Sequence, residues 1–241
     1  MHRAVHPVLD RPVLLDDPLA FPILGADRDE LLAGVAPTSR LRLFVAARHR
    51  LAEQALAAAY VRGTRQCVVL GAGLDTIAYR NEHADLRVFE VDHPATQAWK
   101  RERLAEAGIA EAATYVGVDF ERDDLMSRLV DEGFDATRPA VFVWLGVVPY
   151  LTRGAVATTL RALGTVPGAE VVLDHAGTER DAAGEERHRR LAERVAALGE
   201  ELTEAWAPGE MAQLLTRSGF TEVEELLPSG TGAHVVRAAR A

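Results

Sequence analysis

Short apolar runs alternate with amphipathic stretches along most of the chain beyond residue 66. Five runs have strand length and are rich in β-branched or aromatic residues, which is typical of parallel strands buried on both faces. They lie at 67–70, 88–91, 115–118, 140–145 and 171–173. The amphipathic stretches predict helices, several of which begin at proline or end at glycine. These are 94–107, 122–132, 152–163, 179–202 and 208–218.

Two more strand-like runs, 222–227 and 233–238, close the pattern. A short connection rich in proline, glycine and serine joins them, which is typical of a hairpin. Strands that alternate with helices indicate right-handed crossovers and a doubly wound sheet. We therefore predict an α/β fold of the Rossmann-like class, in which the antiparallel finish, unusual for dinucleotide-binding folds, favours a class I methyltransferase core. Its sheet should have seven strands, mostly parallel, with an antiparallel final hairpin.

The first 62 residues differ from this pattern. Four prolines fall among short apolar pieces in residues 1–36, and we predict an irregular arm or lid there. Pro37, Thr38 and Ser39 then predict the start of a long helix that ends before Gly63. We divide the chain into an N-terminal arm with a helical lid at 1–62 and a core at 63–241. At 241 residues, both belong to one structural domain.

Composition limits the classes of partner. The net charge of −9 argues against nucleic acid, because binding phosphates requires a basic field. No stretch approaches the ~20 apolar residues that span a bilayer, and the start lacks an apolar signal segment. The single cysteine, Cys67, fits a reducing compartment. We expect a cytoplasmic protein without nucleic-acid or membrane partners; a homodimer remains open.

A glycine turn follows the first predicted strand, in the sequence Val-Val-Leu-Gly-Ala-Gly-Leu-Asp-Thr at 68–76. Gly71 and Gly73 let the backbone approach a ligand without a Cβ in the way. Dinucleotide sites use GxGxxG and keep the following helix N-terminus clear for a pyrophosphate. Here the third glycine is missing and Asp75 stands near that position, which favours a cofactor with an ammonium and a sulfonium over NAD. The alternative is a purely structural turn between strand and helix.

Acidic residues follow the next two predicted strands. Asp92 lies about 20 residues after the glycines, the spacing of a group that binds ribose hydroxyls. Its alternative role is a helix cap ahead of Pro94. Asp119 and Phe120 follow the third strand, where the carboxylate suits an adenine amino group and the ring suits packing on the base. Asp119 also has the alternative of capping a helix.

These segments resemble the leucine carboxyl methyltransferase family and its bacterial O-methyltransferase relatives over roughly residues 40–227. The matching pieces lie at 47–48, 69–76, 89–92, 118–120, 146–151, 208–210 and 219–220. The resemblance implies an S-adenosylmethionine site, with S-adenosylhomocysteine as product. Within it, Arg48 pairs with the cofactor carboxylate, Gly71 and Gly73 line the methionine part, Asp92 holds the ribose, and Asp119 with Phe120 holds the adenine.

Two more positions belong to this predicted pocket. Leu145 stands where the family usually has a glutamate that holds the amino end of the cofactor, and His93 is expected to form pocket wall. Arg48 also falls within an apolar stripe of the predicted helix, where a guanidinium needs a partner such as a carboxylate. The alternative is an arginine that extends to solvent or to helix-end carbonyls.

Candidates for the chemistry follow the fourth and fifth strands: Tyr150, Asp174 and His175. His175 is a candidate general base, with a structural histidine as the alternative, and Tyr150 is a candidate or a core aromatic. No His or Cys cluster is present in the sequence, so we expect no metal. The predicted reaction is O-methylation of a small-molecule carboxylate or hydroxyl, as in secondary metabolism. Leu145 keeps open a non-methylating protein that binds the same cofactor, either cyclase-like or a binding module.

Overall fold

A computed structural model describes residues 1–25, 27–179, 182–196, 202–203, 205–227 and 232–240. Within them, seven strands form one sheet in the order β3-β2-β1-β4-β5-β7-β6. The strands are β1 (Gln66–Leu70), β2 (Arg87–Asp92), β3 (Thr114–Gly117), β4 (Val141–Trp144), β5 (Glu170–Ala176), β6 (Glu222–Leu227) and β7 (Ala233–Ala239).

The direction of the strands confirms the predicted sheet. The pairs β1–β2, β1–β4, β2–β3 and β4–β5 are parallel, whereas β7 runs antiparallel to both β5 and β6. Every residue of β1 and β4 is buried, which explains their continuous apolar sequence. The predicted connection between the last two strands at 228–231 lies outside the described residues.

Nine helices accompany the sheet in these described ranges. They are α1 (His2–Leu9), α2 (Ala20–Leu24), α3 (Arg28–Ala33), α4 (Arg40–Val61), α5 (Pro94–Glu106), α6 (Leu125–Asp131), α7 (Arg153–Leu163), α8 (Ala182–Ala196) and α9 (Glu210–Arg217). Ser39 caps α4 by accepting a hydrogen bond from the Arg42 N–H at 3.2 Å, as its sequence predicts. None of the described helices is both long and apolar enough to cross a bilayer.

Two apolar clusters cover the two faces of the sheet. On one face, Ala52, Ala55 and Leu56 of α4 pack with Val69 and Val172 of the strands. On the other face, a larger cluster is formed by α6, α7 and α9 against the alternate strand residues. The site lies above the edge at which the parallel strands end.

The N-terminal arm corrects one prediction, because three helices occupy a region whose prolines suggested irregular chain. Helix α1 contains Pro7 and packs on α4. Arg42 donates from Nε and Nη2 to Asp10 at 2.6 and 2.8 Å, and both residues are buried. His6 also contacts the Asp10 carboxylate, at 2.9 Å. These tertiary contacts stabilise a short helix whose own sequence is a weak helix former.

A single 3-10 turn, Ile77–Tyr79, follows the glycine turn before β2 begins. One other predicted element differs in extent. The predicted helix at 179–202 is described as a helix only over Ala182–Ala196. Glu179 and Leu202 themselves are not helical.

Candidate functional site

A cavity of about 260 Å³ lies at the carboxyl ends of β1 and β4. Residues from the sheet edge form its base, and residues of α1, α2 and α4 form its walls. The sheet-edge lining comprises Val69, Leu70, Gly71, Ala72, Leu74, Asp75, Val143 and Leu145, and the helical lining includes Arg3, Ile23, Leu24, Val45, Arg48 and His49. The N-terminal arm therefore lies over the end of the sheet where open α/β folds bind ligands.

Gly71 forms part of the cavity wall and cannot carry a side chain. Its φ is +64°, which favours glycine, and a Cβ at this position would overlap Cγ2 of Val147. Gly73 also has a positive φ, +46°, but the space beside it is open. The turn thus brings bare backbone to the cavity, as the sequence predicts.

Asp92 ends β2 and is tied to the glycine turn. Its Oδ2 accepts a hydrogen bond from the Gly73 N–H at 2.6 Å, and its Oδ1 accepts one from the His93 N–H at 2.7 Å. The cap of α5 is instead His93, whose Nδ1 accepts from the Ala95 N–H at 3.3 Å. The capping alternative for Asp92 is therefore wrong. His93 is exposed and lies outside the cavity lining.

Arg48 points from α4 into the cavity and has an ion-pair partner. Its Nη1 donates to Oδ2 of Asp174 at 2.7 Å, so neither of the alternatives for this arginine is observed. Oδ1 of Asp174 accepts the Gly146 N–H at 2.5 Å. Within the described ranges, the buried Nε of Arg48 has no hydrogen-bond partner. A buried donor left unpaired costs about 1–3 kcal/mol, so this atom is suited to an acceptor from a ligand.

Asp75 lines the cavity but its carboxylate is already occupied. It lies 3.2 Å from Nη1 of Arg3 and 3.4 Å from Nε2 of His49, and it accepts the Ile77 N–H at 2.7 Å. Burial opposes its ionisation, but the His49 hydrogen bond and the charges of Arg3 and Lys100 hold the pKa of Asp75 well below its ordinary value. Asp75 precedes a 3-10 turn rather than a helix, and its charge is balanced within the protein. Its predicted role toward the cofactor stays a prediction.

Asp119 and Phe120 follow β3 on the far side of β2. Asp119 accepts the Glu121 N–H at 3.0 Å and lies 3.6 Å from Nε of Arg122, and its side chain is 35% exposed. Phe120 stacks on Trp144 with ring centroids 6.1 Å apart. Neither residue lines the cavity, whereas Leu145 does. The cavity therefore matches the predicted methionine end of the site, and the predicted adenine residues lie beyond it.

The three candidates for the chemistry, Tyr150, Asp174 and His175, lie outside the cavity lining. Neighbouring strand residues point to opposite faces, so Asp174 faces α4 and His175 faces away from it. His175 stacks on His234 with centroids 5.0 Å apart, and burial lowers its pKa to about 4. Tyr150 ends a 3-10 turn, Val148–Tyr150, and is 40% exposed. Their catalytic roles stay predictions.

Sequence reasoning placed Asp174 near the reaction but did not connect it with Arg48. The signal was present, because an acid at the end of a central parallel strand meets residues from the covering helix. The sequence did not identify Arg3 or Val147 as site residues, since their contacts depend on how distant segments pack. Among the residues that the structure describes, no group of three or more His, Cys, Asp or Glu side chains could hold a metal ion.

Residues 1–164 match the leucine carboxyl methyltransferase family, which is more than half of the 241 residues. The chain belongs to this family. The result confirms the resemblance drawn from the glycine turn and the strand-end acids.

Similar relatives carry the name of S-adenosyl-L-methionine-dependent methyltransferases. The Bacillus subtilis protein YktD is 36% identical, over 76% of this chain and 62% of its own length. A Mycobacterium marinum protein is 33% identical, over 84% of this chain and 70% of its own. This chain therefore spans less than two thirds of the Bacillus relative.

Solved structures share the fold at low sequence identity. Magnesium protoporphyrin IX methyltransferase from Synechocystis, crystallised with bound SAH, aligns with a TM-score of 0.52 at 12% identity, over 92% of this chain and 96% of that one. An O-methyltransferase family protein from Burkholderia thailandensis aligns with a TM-score of 0.51 at 13% identity, over 93% and 68%. These likenesses support the class I methyltransferase fold.

Proposed function

We propose that this chain is an S-adenosylmethionine-dependent O-methyltransferase that acts on a carboxylate or hydroxyl of a small molecule in cytoplasmic secondary metabolism. The observation that carries the proposal is the cavity at the ends of β1 and β4, which is lined by both the bare Gly71 turn and Arg48. Family membership and the names of the relatives support the same cofactor.

The residues present fit the methionine end of this cofactor. The buried, unpaired Nε of Arg48 is a donor suited to a carboxylate, which guanidinium groups bind in a planar fork. A volume of about 260 Å³ falls below the roughly 300–1,000 Å³ of whole small-molecule sites. The cavity therefore suits the amino-acid part, with the ribose over Asp92 and the adenine toward Asp119 and Phe120.

S-adenosylmethionine, when bound, supplies an electrophilic methyl group on a sulfonium. Arg48 and the Gly71 turn would hold the amino-acid end, and Asp92 would hold the ribose. Transfer requires the acceptor oxygen in line with the methyl carbon, so positioning supplies most of the acceleration. Residues of α1 and α2 form part of the cavity wall.

A carboxylate acceptor requires no general base, whereas a hydroxyl benefits from one. His175 is neutral at pH 7, because burial lowers its pKa to about 4, and it faces away from α4. A base with so low a pKa takes up a proton weakly. We therefore favour a carboxylate acceptor, with His175 and Tyr150 as the residues to test if a hydroxyl is used.

One observation favours a second candidate function. Leu145, an apolar side chain, lines the cavity where the amino end of the cofactor would lie. A protein that binds the cofactor without transferring its methyl group is the alternative, either cyclase-like or a binding module. Turnover separates it from the first candidate.

The cofactor is tested by thermal unfolding with S-adenosylhomocysteine, S-adenosylmethionine or NAD present. A ligand that binds the native state raises the unfolding temperature. We expect this increase with S-adenosylhomocysteine and S-adenosylmethionine and not with NAD. A larger increase with NAD would refute the cofactor assignment.

The reaction is tested by a screen of small carboxylates and phenols that measures release of S-adenosylhomocysteine with and without EDTA. We expect turnover on a carboxylate that EDTA leaves unchanged. Loss of activity with EDTA and recovery with Mg²⁺ would contradict metal-free transfer. Tight binding without turnover on any acceptor would support the alternative function.

A further inference from the structure

Asp174 is a buried carboxylate that forms an ion pair with Arg48. It is only 4% exposed, near the end of β5. One oxygen accepts from Nη1 of Arg48 at 2.7 Å and the other accepts from the Gly146 N–H at 2.5 Å. A single carboxylate thus joins helix α4 to the turn that follows β4.

The register of the strand and the helix makes this contact specific. Val172 of β5 packs against Ala52 of α4 in one apolar cluster. Asp174 lies two residues farther along the strand on the same face, and Arg48 lies one turn earlier on the helix. The charged pair therefore sits at the edge of a packed apolar interface, where its geometry is held by the core beside it.

The contact also orients the rest of the guanidinium. Asp174 occupies Nη1, and the guanidinium as a whole lies against Gly146, where an added Cβ would be 2.7 Å from Nη2 and 3.3 Å from Nη1. Nε is buried and has no partner in the part of the chain that the structure describes. The edge formed by Nε and Nη2 is therefore the one left for a ligand, and a guanidinium edge of this kind binds a carboxylate through two parallel hydrogen bonds.

We propose that Asp174 is the positioning residue of the cofactor site: it fixes Arg48 and the Gly146 turn so that the remaining guanidinium edge receives the carboxylate of the amino-acid part. The inference rests on the proposed function. Asp174 acts through Arg48 and has no contact of its own with the reacting atoms.

The experiment compares two ligands by calorimetric titration. S-adenosylhomocysteine carries the amino-acid carboxylate, and 5′-methylthioadenosine lacks the whole amino-acid part. Asp174→Ala should weaken the binding of S-adenosylhomocysteine roughly ten- to hundredfold, which is the range for the loss of a charge-assisted hydrogen bond. Binding of 5′-methylthioadenosine should change less than about twofold, because its contacts do not involve Arg48.

The control variant is Glu170→Gln on the same strand. Glu170 is also 4% exposed and is paired with Arg237 at 2.7 Å, at the opposite end of β5 from the cavity. Its replacement perturbs the strand without touching the site, so the ratio of the two affinities should not change. Asp174→Asn, which conserves volume, provides the measurement if the alanine variant does not fold.

A double-mutant cycle tests whether Asp174 acts through Arg48. In an Arg48→Ala background, Asp174→Ala should cost no further affinity for S-adenosylhomocysteine. Three results would each overturn the positioning role and leave the cofactor assignment standing. They are equal weakening of the binding of both ligands by Asp174→Ala, unchanged affinity for S-adenosylhomocysteine, and full additivity of Asp174→Ala with Arg48→Ala. Failure of the unmutated protein to bind S-adenosylhomocysteine would overturn both.

Discussion

Replacement of Gly71 by alanine should combine two separate energetic penalties. The φ of +64° costs an L-residue about 1–2 kcal/mol. The added Cβ would also overlap Cγ2 of Val147, and relief of such overpacking costs about 1–3 kcal/mol. We expect Gly71→Ala to lower the free energy of unfolding by about 2–5 kcal/mol and to weaken S-adenosylhomocysteine binding, because the residue lines the cavity.

Gly108 offers a matched control far from the site. Its φ is +65°, almost the same as that of Gly71, but a Cβ there would meet nothing within 4 Å. Gly108→Ala should therefore show the backbone penalty alone, about 1–2 kcal/mol, with unchanged ligand binding. The difference between the two variants measures the overlap with Val147.

Urea unfolding of Gly71→Ala, Gly108→Ala, Val147→Ala and the Gly71→Ala/Val147→Ala double variant gives the required free energies. Removal of both Val147 γ-methyl groups relieves the overlap, so the double variant should be more stable than the sum of the single effects by about 1–3 kcal/mol. Equal destabilisation by the two glycine variants, together with additivity in the double variant, would refute the steric reasoning.

Three further predictions concern buried charges. Arg42→Ala should destabilise the fold by about 3–5 kcal/mol in urea unfolding, because the buried Asp10 loses its guanidinium partner and keeps only its contact with His6, whereas the exposed Arg50→Ala should change little. Burial raises the pKa of Glu90 to about 7 from 4.5, so the folded protein holds a proton that the unfolded chain releases. The free energy of unfolding should therefore fall as the pH rises from 4.5 to about 7, and the Glu90→Gln variant should not show this fall. Burial lowers the pKa of His175 from 6.5 to about 4, so stability should fall as pH drops through that range, and parallel curves for His175→Gln and the unmutated protein would contradict this.

The central strands were predictable because they are buried on both faces of the sheet. A strand such as β4, with all four residues buried, requires an unbroken apolar run, and its short length and β-branched and aromatic residues distinguish it from a buried helix segment. The antiparallel end was also readable, since the last two runs lack a helix between them. Local sequence and tertiary burial agree here, so pattern alone was sufficient.

The N-terminal arm was not predictable in this way. Pro7 lies inside α1, and proline in a helix normally argues against one. The helix persists because Asp10 at its end binds Arg42, thirty-two residues away, in a buried pair. A contact of that separation leaves no periodic signal in the sequence.

The sequence indicated which residues lie near the strand ends better than it indicated the direction in which their side chains point. Asp92 contacts the glycine turn, because both follow adjacent parallel strands, and its role toward the ribose stays a prediction. Asp174 and His175 are sequence neighbours, yet alternation along β5 sends one toward α4 and the other to the opposite face. The sequence did not indicate which of the two faces α4, since both lie at the end of a strand that is buried on both sides.

The charges around Asp75 explain how the arm and the glycine turn form one unit. Arg3 of α1 lies 3.2 Å from both Asp75 and Asp17, and its Nη2 also donates to the Leu74 carbonyl. Displacement of α1 would leave two buried carboxylates short of a cation, which is costly in a low-dielectric setting. The charge of Asp75 therefore helps to hold α1 over the cavity. Because Arg3 and His49 already contact this carboxylate, a cationic cofactor would have to be attracted by groups outside this cluster.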